Sequence, residues 1–136
     1  MFKNLRLFKL DDPAAVDLDR CEAQLAARRF RPCGPLETAT MGWVPPLGEE
    51  TSALSHLAGD CVLVCVRRQE RLLPAAVVAE TLDEKIAEIE DREARTVGRK
   101  ERRQVKDEVL LDLLPRAFTR SRRACAYLDR QTGWLL

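Results

Sequence analysis

PAAVVAETLDEKIAEIEDREARTVGRKERRQVKDEVLLDLLPRAF, residues 74–118, carries two apolar stripes at helical spacing. The first is Val78, Leu82, Ile86 and Ile89. The second is Val105, Val109, Leu110, Leu113 and Leu114. Steps of three and four place each set on one face of a helix. Pro74 suits a first turn, where no amide partner is needed. Gly98 separates the stripes, and Pro115 stops the second because its ring clashes with the preceding turn. The spacing predicts a helical hairpin over 75–97 and 99–114.

Charge changes sign along this stretch. Residues 74–94 hold seven acids (Glu80, Asp83, Glu84, Glu88, Glu90, Asp91, Glu93) against Lys85 and Arg92. Residues 95–123 hold ten bases: Arg95, Arg99, Lys100, Arg102, Arg103, Lys106, Arg116, Arg120, Arg122 and Arg123. Only Glu101, Asp107, Glu108 and Asp112 oppose them, a local +6 in a chain of net +1. Two readings are open here. The charges form a solvated surface laced with ion pairs, or they attract a polyanion.

At 136 residues and 46% hydrophobic content, one ordinary domain with a real core is expected. The near-neutral total excludes a wholly basic nucleic-acid domain, so binding of that kind is regional. The opening Met-Phe-Lys-Asn-Leu-Arg lacks the apolar run of a secretory signal, and no stretch has membrane-spanning length. A cytoplasmic protein is expected. Cys21, Cys33, Cys61, Cys65 and Cys125 are scattered and odd in number, with no CxxC pair. Reduced buried thiols are therefore expected, and no disulfide framework. Cys61 and Cys65 share a strand face, but His56 is the only histidine, so no metal site is expected.

Outside the hairpin the pattern is mostly strand. Residues 4–10 alternate, and Asp11-Asp12-Pro13 breaks them. An amphipathic helix follows over 17–28, capped by Asp12 or Asp17. Residues 38–44 are rich in β-formers and stop at Pro45-Pro46. Residues 51–57 are ambiguous. Residues 60–68 form the clearest strand, 124–128 another, and Trp134 begins a return strand after a turn at 129–133. The chain ends on an apolar strand, which reads as a fragment cut within a hairpin. The fold class is α+β: a mixed or antiparallel sheet with packed helices and a helical-hairpin excursion. Residues 1–73 together with 116–136 make the sheet domain, incomplete at its C-terminus, and 74–115 the hairpin.

No active site is apparent. There is no Walker loop or GxGxxG, and a catalytic pairing would have to use His56 beside Cys61. No catalytic residue, metal or cofactor is expected. Composition and spacing reach only a soluble α+β protein with a regional basic surface.

Several strings carry further: Phe2-Lys3-Asn4-Leu5, Phe30-Arg31-Pro32-Cys33-Gly34, Met41-Gly42-Trp43-Val44-Pro45-Pro46, Leu73-Pro74, Lys106-Asp107-Glu108-Val109-Leu110 and Leu113-Leu114-Pro115-Arg116-Ala117-Phe118. In this order they resemble the RdgC family of bacterial recombination-associated proteins, over about the N-terminal half of that family's chain. The resemblance implies a non-enzymatic, nucleoid-associated protein in the cytoplasm. It implies a horseshoe-shaped subunit that closes into a ring as a homodimer. Double-stranded DNA, and in some contexts single-stranded DNA, would pass through without sequence preference, restraining the RecA recombinase.

Arg116 lies in a family string. Arg95, Arg99, Lys100, Arg102, Arg103, Arg120, Arg122 and Arg123 join it as DNA-binding candidates on charge alone. Phe118 and Leu114 are the candidate dimer contacts, with core packing of Phe118 left open. Trp43 is either a structural anchor or a base-stacking platform. The competing class is a protein-interaction module whose hairpin mediates self-association, with the charges serving solubility.

Overall fold

The structure, a computed structural model, describes residues 5–136. It is an α+β protein. In chain order the elements are β1 (Phe8–Lys9), α1 (Leu18–Ala27), β2 (Ala39–Val44), β3 (Ser55–Ala58), β4 (Cys61–Leu72), α2 (Ala75–Glu93), α3 (Arg99–Leu113), β5 (Phe118–Asp129) and β6 (Trp134–Leu135). The strands form an open six-stranded sheet in the order β1-β6-β5-β4-β2, with β3 paired to β4. β1 with β6, β3 with β4 and β5 with β6 are antiparallel. The chain divides into two compact units. One comprises Met1–Pro32, Thr40–Arg68 and Ser121–Leu136, the other Cys33–Ala39 and Gln69–Arg120.

The second unit contains the hairpin the apolar stripes predict. Val78, Leu82 and Ile86 of α2 pack with Val105 and Val109 of α3, and Leu73, Ile89, Val97, Leu110 and Leu113 close around them. Helix α2 stops earlier than 97, because Ala94 takes a left-handed conformation at φ 50°. A non-glycine residue there costs about 1 kcal/mol. Local bonds offset it: Val97 N–H donates to the Glu90 carboxylate at 2.7 Å, and Arg95 holds both Glu93 and Glu101. Arg71 ties the short 33–39 segment to the end of the hairpin. Its guanidinium donates to the carbonyls of Gly34 at 3.0 Å and Ala117 at 3.2 Å.

In the first unit Leu25, Leu54, Val62 and Cys65 are buried. The Met-Gly-Trp-Val string runs in β2 against the segment after α1. Trp43 donates its N–H to the Arg28 carbonyl at 3.0 Å, and Phe30 donates to the Trp43 carbonyl at 2.9 Å. A side chain at Gly42 would collide with the Phe30 backbone, so only glycine permits this approach. Gly133, at φ 73°, completes the turn before β6. Asp129 holds that turn by accepting from the Thr132 hydroxyl at 2.5 Å and the Gln131 N–H at 2.9 Å.

Three strands differ from the sequence expectation. β1 is two residues long, and the first four residues lie outside the described residues. β4 runs on past Arg68 through Glu70 and Arg71 to Leu72, and β5 begins at Phe118 instead of 124. Apolar alternation cannot reveal these extensions, because an ion pair stabilises them. Arg120 of β5 meets Glu70 of β4 at 2.5 Å.

The cysteine expectation is corrected. Cys65 of β4 and Cys125 of β5 form a disulfide, with Cα atoms 4.1 Å apart. Sixty residues of sequence separate them, so only strand pairing brings them together. Cys21, Cys33 and Cys61 are outside any disulfide, and the Cys33 thiol donates to the Gln69 carbonyl at 3.4 Å.

Glu22 of α1 anchors the start of β3. Its carboxylate accepts from the Leu54 N–H at 2.6 Å, the Ser55 N–H at 3.0 Å and the Ser55 hydroxyl at 2.6 Å. Burial pushes its pKa up, but these bonds and the Arg29 charge outweigh it and bring the value below the ordinary one. A depressed folded value means the stabilisation is present above the unfolded value and lost as pH falls through the folded one. Glu22→Ala leaves those donors without an acceptor and should destabilise the chain by about 1–3 kcal/mol at pH 7. Urea melts should show the gap from the parent narrowing at pH 3; an equal gap at both values would contradict this anchor.

Candidate nucleic-acid interface

The hairpin turns one side of each helix to the core and leaves the charged sides to solvent. Four candidate bases are held by partners. Arg95 grips Glu101 at 2.6 Å, Arg102 meets Asp83 at 2.6 Å and Arg120 meets Glu70. Arg123 donates to the carbonyls of Pro45 and Pro46, both at 2.7 Å. Arg95 holds the Glu101 carboxyl below its ordinary value, and Lys85 does the same to Asp112 across the hairpin at 2.6 Å. Arg95, Arg102 and Arg120 are thus paired with acids, while Arg123 is tied to neutral carbonyls.

The others are placed differently. Arg99, Lys100 and Arg103 of α3, and Lys106 beside them, are exposed and make no ion pair among the described residues. Arg99, Arg103 and Lys106 fall at i, i+4 and i+7, hence on one helical face over about 10 Å. They flank the buried stripe of Val105 and Val109. Lys106 is absent from the charge-based candidates and joins this row by its spacing. Arg116, just after α3, is also exposed. Arg122 lies in the other unit, lining a cavity of about 290 Å³ with Arg67, Ser121 and Arg123.

Exposure separates the two candidate self-contacts. Phe118 is 85% exposed, which excludes core packing in this chain, whereas Leu114 is buried at 6%. Trp43 is partly buried, and its backbone is bonded on both sides of the close approach at Gly42. His56 is half-buried on β3 opposite Leu63. Among the described residues no three His, Cys, Asp or Glu side chains gather as a metal site. No described helix is long and apolar enough to cross a membrane.

Fold and surface together define an α+β protein that presents, on one helix of a hairpin, a row of exposed cations without an ion pair among the described residues. Residues 1–136 match the family model described as "Putative exonuclease, RdgC". Proteins named "Recombination-associated protein RdgC" from Halorhodospira halophila and Laribacter hongkongensis are each 44% identical over 135 residues. One from Salmonella paratyphi B is 38% identical over 135 residues. These alignments cover 99% of this chain but only 44–45% of the relatives, so the chain spans less than half their length. The chain belongs to the RdgC family.

Proposed function

We propose that this chain binds double-stranded DNA without reading its sequence, as part of a recombination-associated protein that acts without catalysing a reaction. The observation that carries this is the row Arg99, Arg103 and Lys106, with Lys100 beside it, exposed on α3 and making no ion pair among the described residues. Cations in a row attract phosphates, and phosphate contacts position a protein without carrying base information. The recombination-associated name of the relatives supports the same target. Ring closure by two subunits, residence on the nucleoid and restraint of RecA belong to the reading for the whole protein. They rest on the family resemblance.

Four phosphate contacts predict a defined salt response. Each contributes a slope near −0.9 in log affinity against log salt, so affinity should fall about 100-fold between 50 and 200 mM salt. Fluorescence anisotropy on two duplexes of unrelated sequence measures this, with equal slopes expected for both. Affinity indifferent to salt would remove the phosphate contacts from the proposal.

One observation favours a second reading, in which the second unit is a self-association surface. Phe118 is a large aromatic side chain left 85% exposed. The two readings are compatible, since Phe118 lies on β5 and the cationic row on α3.

A further inference from the structure

The two sulfurs of the Cys65–Cys125 disulfide are not equally placed. Cys65 is 0% exposed, while Cys125 belongs to the exposed stretch of β5. We propose that this pair is a reversible thiol–disulfide exchange site for small thiols and dithiol reductants, entered only at Cys125.

Exchange requires a thiolate to reach the sulfur it attacks, so access decides which half of the bond is opened. An incoming thiolate attacks Sγ of Cys125 and forms a new S–S bond there. The Cys65–Cys125 bond breaks, and its electron pair leaves on Sγ of Cys65, which takes up a proton. A second thiol of the reductant then attacks its own sulfur in the adduct and frees Cys125. The reductant departs as a disulfide and the protein has gained two electrons and two protons. Oxidation by glutathione disulfide runs the same path backwards. The Cys125 thiolate takes one glutathionyl group and releases one glutathione. Cys65 then attacks Sγ of Cys125 and releases the second.

Two arginines share strand faces with the pair. Strand alternation puts Arg67 on the same face of β4 as Cys65, and Arg123 on the same face of β5 as Cys125. Both arginines line one cavity, each held in place, Arg67 by Glu49 and Arg123 by the Pro45 and Pro46 carbonyls. None of this depends on DNA binding.

The 136-residue chain is treated with glutathione disulfide, quenched with acid, unfolded and alkylated. Three cysteines, Cys21, Cys33 and Cys61, should alkylate, and all five after dithiothreitol. Peptide mapping of Cys65→Ser should place a glutathionyl group on Cys125, and Cys125→Ser should modify Cys65 at least tenfold more slowly. If either variant fails to fold, the oxidised parent is exposed to limiting glutathione, and the first mixed disulfide is mapped; Cys125 is expected. Five alkylated cysteines after oxidation would overturn the pairing. Equal adduct rates at the two positions, or a first adduct on Cys65, would overturn the route.

Discussion

R99E/R103E/K106E is expected to bind duplex DNA roughly 4000-fold more weakly than the parent at 50 mM salt, on every sequence alike. The magnitude follows from counterion release. At that salt each phosphate contact contributes about 1.2 decades of affinity, and the variant loses three. The slope of log affinity against log salt should also flatten by about three, since each lost cation removes about one. Folding should be little changed, because none of the three side chains has an ion pair to lose among the described residues and all are exposed. The matched control is R95E/R102E. Those two side chains already neutralise Glu101 and Asp83, so reversing them should cost stability while changing the salt slope less. Equal loss of DNA affinity in both variants would show that net charge matters and the α3 row does not.

The contrast between these sets explains what could be read from residues alone. The hairpin was legible because burial imposes a periodicity: Val78, Leu82 and Ile86 meet Val105 and Val109 as their spacing requires. Its surface was only half legible. A count of +6 says how much charge is present, but pairing is a matter of distance across the hairpin. Arg102 and Arg103 are neighbours in sequence, yet only Arg102 turns toward Asp83 on α2. The extensions of β4 and β5 were hidden for a related reason. Their polar residues follow no apolar alternation, and Glu70 and Arg120 meet only because two strands fifty residues apart pair. The disulfide shares this origin. No local pattern marks Cys65 and Cys125 as partners; only the adjacency of β4 and β5 does. Glu22 was likewise invisible, since its partners are backbone amides more than thirty residues away.

V109D is expected to abolish the hairpin, and with it the cationic row. Val109 is 0% exposed and lies among Val78, Leu82, Ile86 and Val105. An isolated carboxylate there would have no charged partner in this core, and burying one costs several kcal/mol or more. That is comparable to the whole stability of a small domain. The helices cannot survive alone, because most helical stability comes from packing an apolar face. α2 and α3 supply 19 and 15 of the α-helical residues and α1 supplies 10, so 34 of 44 would be lost. Far-ultraviolet circular dichroism should therefore show about three quarters of the helical signal gone at pH 7. Burial raises the pKa of the introduced carboxyl, so the folded form is favoured when it is protonated. Part of the helix should return near pH 4. L111D supplies the comparison: Leu111 is on the same helix but 53% exposed, and the change should leave helical content intact. A helical V109D that still binds duplex DNA would mean that Val109 does not hold α2 against α3. The cationic row would then owe its order to something other than this core. Loss of helix and of DNA affinity together, restored together at pH 4, would instead tie the spacing of Arg99, Arg103 and Lys106 to the buried stripe behind them.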